Sequence, residues 1–376
     1  MTIKNYIINS IIILALSCPS TQSEPENPSL NVNWKTPTNL VDTPNSELLL
    51  IENKTLVFSG QAELLTAISI DDGSPIWQTD LYDGRALRSD HLLYSKEKNK
   101  IIGRHFNNIM VWNSTNGVNV FELSDSLNGI SSSRVNFNTL TNNGFAIVGE
   151  YNDAHIMDWD GELRYSIRIP WSTFSVDYFE SKLFIGQRNT VNGGLTQGRI
   201  RAFNAAMGDS LWTYQTDNGG FYEKIYVEDG VVYGGTRGNS PNSEVVALDA
   251  KTGAVVWQYI TDNPLEYTDY FLVTDEYVFT RGTGYAFALD KQTGERLWGF
   301  GWGSTTSVNL VYLEGYLYLS NRGAVYVLDA ETGELLHTEP SPPGDGYIYK
   351  LGVSENKLFV QTGASIIAYE PWHLRD

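Results

Sequence analysis

The sequence predicts an all-β fold, an eight-bladed β-propeller of four-stranded blades that is closed by its N-terminal strand. Three observations predict it. A short motif returns at intervals near 40 residues, an aromatic side chain stands at one position of nearly every copy, and the intervals read as short strands without a convincing helix. Repeats of this length with four strands each are typical of propeller blades.

The repeat is clearest in three segments: 247–257 reads ALDAKTGAVVW, 288–298 reads ALDKQTGERLW and 327–337 reads VLDAETGELLH. In each segment alternating apolar residues end at an Asp, a short turn follows, and a glycine takes the positive-φ position that closes a hairpin. Weaker copies bring the motif to seven. Their glycines are spaced by 44, 44, 47, 45, 41 and 39 residues: Gly73, Gly117, Gly161, Gly208, Gly253, Gly294 and Gly333.

Six of the seven copies carry an aromatic ring four residues after the glycine, and the seventh carries His337. A large flat ring at one point of an outer strand fills the wedge between neighbouring sheets, whereas a cofactor site would need convergent polar partners. We therefore predict inter-blade packing for these rings and for one tryptophan near the start of the propeller: Trp34, Trp77, Phe121, Tyr165, Trp212, Trp257 and Trp298.

The blade count follows from the two ends of the repeat region. Seven motif hairpins give seven blades, and 347–369 supplies three strands of another blade. The segment 30–35, LNVNWK, has the strand-plus-tryptophan pattern of an outer strand with no hairpin before it. We expect this segment to complete the last blade, which gives eight blades and no open blade edge between the termini. Seven blades is the alternative, because the copies around Gly117 and Gly161 are degenerate.

Composition and charge argue against several function classes. The 376 residues carry 26 Lys and Arg against 44 Asp and Glu, and the resulting net charge of −18 argues against nucleic acid as a partner. A single cysteine excludes an intrachain disulfide and a multi-cysteine zinc site, and the five histidines show no HExxH spacing. We therefore expect no metal and no other cofactor.

The N-terminus has the pattern of an exported protein. Residues 1–17 combine Lys4 with an apolar stretch too short to span a bilayer comfortably, and they read as a signal peptide. The only cysteine follows directly, and LALSC at 14–18 resembles the lipobox of bacterial lipoproteins, although Ala15 stands where Leu is usual. We expect Cys18 to be lipidated, and the alternative is a buried cysteine in an uncleaved or ordinarily cleaved leader. Residues 18–29 read as a disordered tether to the propeller of residues 30–376.

The Leu-Asp-Ala-x-Thr-Gly-x-x-x-Trp copies resemble the repeats of the PQQ-like β-propellers over most of the chain. That family includes quinoprotein dehydrogenases and the non-enzymatic BamB-type lipoproteins of the outer-membrane β-barrel assembly machinery. The motif is a packing device, so the resemblance is specific for the fold and only weakly specific for function.

The enzyme alternative lacks residues that the resemblance implies for it. Many quinoprotein dehydrogenases of this fold carry an adjacent cysteine pair over the cofactor, and a single cysteine excludes such a pair. The carboxylates of Asp249, Asp290 and Asp329 stand at turns, where capping explains them, and no GxSxG or P-loop pattern is present. The sequence therefore favours a non-catalytic protein.

In a propeller without chemistry, function is expected in the loops that depart from the repeat. Two hairpins between second and third strands are expanded, 187–197 in the fourth blade and 236–242 in the fifth, and both open on the same face. Nearby arginine and aromatic side chains match the composition of binding hot spots. We predict a partner-binding set, with the alternative that the rim aromatics only plug the central channel: Arg188, Arg199, Phe221, Tyr222 and Arg237.

Together these features predict an anchored, non-catalytic scaffold at the bacterial cell envelope that docks a protein partner and meets the membrane only through its lipid. The BamB-type resemblance implies a role in outer-membrane protein assembly. Pro19 is not the Asp associated with inner-membrane retention of lipoproteins, which favours the outer membrane, facing the periplasm or the cell surface. A short PQQ-dependent dehydrogenase and a carbohydrate-binding propeller are the alternatives.

Overall fold

The structure, a computed structural model, describes residues 29–38, 48–52, 54–60, 64–80, 92–105, 108–123, 135–149, 153–190, 196–222, 225–237, 242–261, 270–303, 309–354 and 356–375. Within these ranges the chain forms 32 strands, and a 3-10 helix, Trp372–Leu374, follows the last of them. The predicted signal peptide and Cys18 lie outside the described residues.

The first strand, β1 (Val32–Pro37), belongs to the last blade. The next sixteen strands form blades 1 to 4, four to a blade in chain order: β2 (Leu48–Ile51), β3 (Thr55–Gly60), β4 (Leu64–Ser69), β5 (Pro75–Asp80); β6 (Leu93–Ser95), β7 (Lys100–His105), β8 (Asn108–Asn113), β9 (Asn119–Leu123); β10 (Val135–Thr141), β11 (Gly144–Gly149), β12 (Asp153–Asp158), β13 (Leu163–Arg168); β14 (Ser172–Phe179), β15 (Lys182–Thr190), β16 (Thr196–Asn204), β17 (Ser210–Thr216).

Blades 5 to 7 continue in the same order, and three further strands begin blade 8: β18 (Tyr226–Glu228), β19 (Val231–Gly235), β20 (Ser243–Asp249), β21 (Val255–Thr261); β22 (Tyr270–Val273), β23 (Tyr277–Gly282), β24 (Tyr285–Asp290), β25 (Arg296–Gly301); β26 (Val311–Leu313), β27 (Tyr316–Ser320), β28 (Ala324–Asp329), β29 (Leu335–Pro340); β30 (Ile348–Ser354), β31 (Lys357–Thr362), β32 (Ser365–Tyr369).

The eight sheets are arranged as a ring, which confirms the predicted eight-bladed propeller over the seven-bladed alternative. The first strand of each blade lies toward the centre, because first strands contact one another between neighbouring blades: β2 with β6, β6 with β10, β10 with β14, β14 with β18, β26 with β30, and β30 with β2. The last of these contacts joins blade 8 to blade 1.

The N-terminal strand completes blade 8, as the sequence predicts. β1 pairs antiparallel with β32, from Val32 opposite Tyr369 to Pro37 opposite Ser365. Beyond the strands, the backbone N–H of Glu370 donates to the carbonyl oxygen of Asn31 at 2.8 Å. Because both termini supply one sheet, no edge of blade 8 is left open at the junction.

The motif turn is built from backbone and side-chain hydrogen bonds that its residue types supply. In blade 5 the N–H of Gly253 donates to the carbonyl oxygen of Asp249 at 2.8 Å, with Gly253 at a φ of +74°. The Asp249 carboxylate accepts the hydroxyl and the N–H of Thr252 at 2.6 and 2.7 Å. These hydrogen bonds hold the pKa of Asp249 below its usual value, so the turn carboxylates are caps.

The hydrophobic core lies between blades. Along the inner strands apolar side chains alternate between the two faces of each sheet, and each face packs against the facing sheet of the next blade. At the interface of blades 5 and 6, for example, Tyr233 and Val245 of blade 5 pack with Phe271 and Phe287 of blade 6, all nearly inaccessible to solvent.

The ring has two different faces. The turns between first and second strands and between third and outer strands lie on one face, which we call the turn face; Glu180 with Ser181 and the Asp249 to Gly253 turn are examples. The connections between blades and the hairpins between second and third strands lie on the other, which we call the loop face. Antiparallel order within each blade requires this separation.

Candidate functional site

The aromatic residues of the repeat lie against the motif turn of the following blade. A Cβ atom added to Gly253 would lie 2.6 Å from Cδ2 of Trp212, so only a glycine leaves room for the indole. The same relation holds around the ring: Trp34 on Gly73, Trp77 on Gly117, Phe121 on Gly161, Tyr165 on Gly208, Trp212 on Gly253, Trp257 on Gly294 and Trp298 on Gly333.

Each indole N–H also donates to a carbonyl oxygen of that turn, at 2.8 to 3.2 Å: Trp34 to Ile70, Trp77 to Ser114, Trp212 to Ala250, Trp257 to Lys291 and Trp298 to Ala330. Phe121 has no donor. At its position Nζ of Lys100 donates to the carbonyl oxygen of Trp159 at 2.7 Å and lies 5.7 Å from the centre of the Phe121 ring. Apolar contact and satisfied polar atoms account for these rings without a ligand.

In the seventh motif copy the aromatic position is occupied by His337, which lies next to the two ends of the propeller where they meet in blade 8. Blade 8 has no third-to-outer hairpin, and the ring of Trp372 stacks on His337 at 5.2 Å. Nε2 of His337 lies 3.0 Å from Oε2 of Glu339, an oxygen that also accepts the backbone N–H of Leu30 at 2.6 Å. No repeat or motif in the sequence singles out Trp372, which follows the last strand.

Four of the five predicted partner-binding residues come together on the loop face, where blades 4 and 5 meet. Two lie on the paired strands β15 and β16, one on the connection from blade 4 to blade 5, and one directly after β19. With two aromatic residues of blade 4 they form what we call the rim cluster: Trp171, Phe174, Arg188, Arg199, Tyr222 and Arg237.

The guanidinium of Arg188 lies near two aromatic rings, with its carbon 4.7 Å from the centre of Phe174 and 4.6 Å from the centre of Tyr222. One of its nitrogens donates to the Tyr222 hydroxyl. Arg237 approaches the same tyrosine at 5.0 Å. Cation–π contacts and hydrogen bonding therefore hold two like charges near one ring at the rim.

Arg199 is a partly desolvated cation. Its guanidinium lies 4.0 Å from the ring centre of Trp171, and its Nε donates to Oε1 of Gln187 at 2.8 Å. Burial, with the nearby charge of Arg201, lowers the pKa of Arg199 to about 10. Its Nη2 is buried with no hydrogen-bond partner, and no carboxylate of a described residue pairs with Arg188 or Arg199. Such a cation favours an approaching anion or carbonyl oxygen.

Phe221 differs from the prediction. It is fully buried between blades 4 and 5, so it offers no surface to a partner. The residue before it, Gly220, exchanges two backbone hydrogen bonds with Arg237, at 2.8 and 3.0 Å. A Cβ atom at Gly198 or Gly234 would approach the Phe221 ring within about 3 Å, so glycines make the space that Phe221 fills. Its role is to fix the connection that carries Tyr222.

A buried carboxylate that is not among the predicted site residues supports the same connection. Glu244 of β20 is inaccessible to solvent and accepts hydrogen bonds from three neutral donors of blade 4: Tyr214 Oη at 2.6 Å, Thr216 Oγ1 at 2.6 Å and Asn218 Nδ2 at 2.9 Å. A sequence signal existed. Glu244 alternates with Val246 and Leu248, so it occupies an inward-facing position where an apolar residue is usual.

The first predicted loop expansion is in part a longer hairpin. β15 and β16 remain paired from Gln187 opposite Arg199 to Thr190 opposite Thr196, and only 191–195 lies outside the described residues. In blade 5 the N–H of Thr236 donates to the Glu244 carbonyl oxygen at 2.8 Å, and 238–241 lies outside them. The rim cluster therefore stands largely on paired strands.

Across the described residues, His, Cys, Asp and Glu side chains form no group of three that could hold a metal ion. In the same part of the chain, no helix has the length and apolar character needed to cross a membrane.

A family model described as "Outer membrane protein assembly factor BamB" matches residues 31–259 and 282–371. The chain belongs to the BamB family. The match extends from β1 to β32 and thus includes both strands that close blade 8. No curated protein sequence matches the chain significantly.

Solved structures show that the propeller fold of the BamB family is shared with proteins of other kinds. BamB from Moraxella catarrhalis superposes with a TM-score of 0.68 at 13% identity, over 91% of this chain and 100% of that one. The computationally designed protein Ika8 gives 0.67 at 13% identity over 92% and 98%, and the Dos1 propeller gives 0.68 at 14% over 91% and 95%. At such identities the similarity shows the fold alone.

Proposed function

We propose that this member of the BamB family is a non-catalytic scaffold that docks a protein partner through the rim cluster, in outer-membrane protein assembly. One observation carries the proposal: Arg188 and Arg199 are held against aromatic rings without a carboxylate partner among the described residues. Arginine and aromatic side chains in this arrangement are typical of interface hot spots.

The chemistry of the rim cluster indicates what the partner presents. The guanidinium of Arg188 is a planar fork of donors, which fits a carboxylate or two backbone carbonyl oxygens. In Arg199 the Nε is already hydrogen-bonded and Nη2 is buried, so this residue contributes mainly its charge. The body of the protein has a net charge of −18, so an acidic partner is repelled everywhere except where cations are concentrated. The rim cluster therefore contributes orientation as well as affinity.

The proposal includes a lipid anchor at Cys18 on the outer membrane. Within blade 8, β1 runs from Val32, opposite the end of β32 on the turn face, toward the loop face. Residues 29–31 therefore lie at the turn face, where the chain enters β1. The rim cluster lies on the opposite face, so an anchor at Cys18 is compatible with partner docking there.

Affinity purification tests the docking role. Arg188→Ala with Arg237→Ala is expected to abolish co-purification of the main partner from detergent-solubilised membranes, because truncating an interfacial arginine commonly costs about 2 kcal/mol or more of binding free energy. The matched control, Arg168→Ala with Arg296→Ala, removes the same charge from outer strands β13 and β25. Wild-type capture by the rim variant, with unchanged melting, contradicts the proposal.

Metabolic labelling tests the anchor separately. Cys18→Ser is expected to abolish palmitate incorporation and release the protein from the membrane fraction, while the purified variant retains partner binding in solution. An unchanged palmitate signal in Cys18→Ser, or a wild-type N-terminal mass without lipid, contradicts lipidation at this residue.

Adding PQQ and calcium together with alcohol or sugar substrates tests the dehydrogenase alternative. Reduction of an electron-accepting dye is the result that would support that alternative.

A further inference from the structure

A second concave surface lies on the turn face, remote from the rim cluster. It is a cleft of about 950 Å³ across blades 2, 3 and 4. This volume lies within the range of small-molecule sites in proteins. Its floor and walls combine aromatic rings with amides and a carboxylate: Asn142, Asn143, Trp159, Asp160, Tyr165 and Tyr178.

An irregular turn in blade 3 explains why the cleft lies there. In six blades the motif glycine donates its N–H to the carbonyl oxygen four residues before it, as Gly208 does to Asn204. In blade 3 Gly161 donates to Asp158, three residues before it, at 3.2 Å. The turn is one residue shorter and extends less far over the turn face, which leaves space between its neighbours.

The cations around the cleft are already compensated. Arg164 pairs with Asp158 at 2.8 Å, Lys98 pairs with Glu97 at 2.8 Å, and Lys100 donates to the Trp159 carbonyl oxygen. Because these cations already have partners, they attract an anionic ligand less than free cations would. The groups without partners are therefore the better guide to the ligand.

The groups that remain available are those that bind hydroxyls. Among the described residues, no partner accounts for the side-chain amides of Asn142 and Asn143, the carboxylate of Asp160 or the hydroxyl of Tyr178. Amides and phenols both donate and accept, and a carboxylate accepts. The ring of Tyr178 adds aromatic surface against which the C–H face of a sugar ring packs.

We propose that this cleft binds a neutral, hydroxyl-rich ligand of the oligosaccharide class. The cations of the lining already have partners, the unpaired amide, carboxylate and hydroxyl groups match sugar hydroxyls, and the volume accommodates more than one sugar ring. The site is independent of partner docking, because it occupies the opposite face of the propeller.

Isothermal titration of the purified propeller with cellotriose, chitotriose and maltotriose, each at millimolar concentration, tests the proposal. At least one trisaccharide is expected to bind. The double variant Asn143→Ala with Tyr178→Phe, which deletes two hydrogen-bonding groups and keeps the ring, is expected to weaken that binding by about tenfold or more at unchanged melting temperature.

Glu276→Ala with Tyr312→Phe is the matched control. Glu276 lies in the first turn of blade 6 as Asn143 does in blade 3, and Tyr312 lies in the first strand of blade 7 where Tyr178 lies in that of blade 4. The control is expected to bind like the wild-type protein. Failure of all three sugars to bind, or equal weakening by both double variants, overturns the proposal. Neither result bears on the rim cluster, whose variants are expected to bind sugar normally.

Discussion

The indole of Trp34, in the strand that closes blade 8, lies against Gly73 in the motif turn of blade 1 and donates its N–H to the carbonyl oxygen of Ile70 at 2.9 Å. The contact is identical in kind to those within the continuous part of the chain, such as Trp212 on Gly253. The interface between blades 8 and 1, where the ring closes, therefore has the same aromatic–glycine contact as the interfaces between blades that follow one another in the chain.

Trp34→Ala is therefore expected to destabilise the whole propeller, by roughly 3 kcal/mol in free energy of unfolding, because both the packed ring and its hydrogen bond are lost. Trp34→Phe keeps most of the packing and is expected to cost about 1 kcal/mol. Urea unfolding followed by circular dichroism measures both. A wild-type unfolding midpoint for Trp34→Ala would show that the ring closes without this contact.

The glycine partner gives a second test, with an internal control in the same blade. Gly253 and Gly230 have similar φ values, +74° and +76°, but a Cβ atom at Gly253 would meet the Trp212 indole at 2.6 Å, whereas nothing lies within 4 Å at Gly230. Gly230→Ala is expected to cost about 1 kcal/mol through backbone strain alone.

Gly253→Ala is expected to cost roughly 2 kcal/mol more than Gly230→Ala, because it must also displace the ring. Thermal and urea unfolding of the two variants decide the matter. Equal destabilisation would mean that the glycine is required by the turn and not by the tryptophan.

The repeat made the propeller predictable from sequence. Each 40-residue repeat carries a turn Asp, a positive-φ glycine and an aromatic ring four residues later, so the strands and the motif turn of a blade can be predicted from its own sequence. Residues outside the repeat were harder to place. Phe221 is an aromatic residue in a rim connection, so its sequence position suggested exposure. The backbone pairing of Gly220 with Arg237 instead directs the Phe221 side chain into the core. Such contacts depend on where a connection runs between blades, which no local pattern encodes.

Glu244 tests how the rim cluster is supported. In Glu244→Gln one oxygen becomes an N–H₂ group facing the hydroxyl and amide donors of Thr216 and Asn218, so buried hydrogen bonds are lost. The expected cost is about 1 to 3 kcal/mol in stability. Partner capture is also expected to fall, because Asn218 begins the connection that carries Tyr222.

The exposed substitution Glu295→Gln, which makes the same chemical change at a motif turn of blade 6, is the control and is expected to change neither quantity. Differential scanning calorimetry and affinity purification provide the two measurements. Normal partner capture by a destabilised Glu244→Gln protein would show that Glu244 contributes to stability but does not support partner binding by the rim cluster.

His155 predicts a pH dependence of stability. Burial in blade 3 lowers the pKa of His155 below its ordinary value of 6.5, although the charge of Asp153 opposes the shift. The unfolded chain therefore binds a proton at a higher pH than the folded chain does. The stability that neutral His155 confers is present above the unfolded pKa and falls as the pH drops from about 7 to about 5.

His155→Asn removes this contribution, so its unfolding free energy is expected to depend less steeply on pH than that of the wild-type protein over the same interval. The comparison uses urea midpoints at constant ionic strength. Parallel pH profiles for the two proteins would assign the dependence to other groups.

The pairing of β1 with β32 in blade 8 also makes closure of the ring a late step of folding. Asn31 and Glu370, which are hydrogen-bonded there, are 339 positions apart in the sequence. During synthesis β1 emerges first among the propeller strands, and β32 emerges last. The seven intervening blades form from neighbouring segments, whereas β1 waits with its hydrogen-bonding edge unpaired. A chain interrupted before Ser365 has no partner for β1, so only a chain that contains every propeller strand can close the ring.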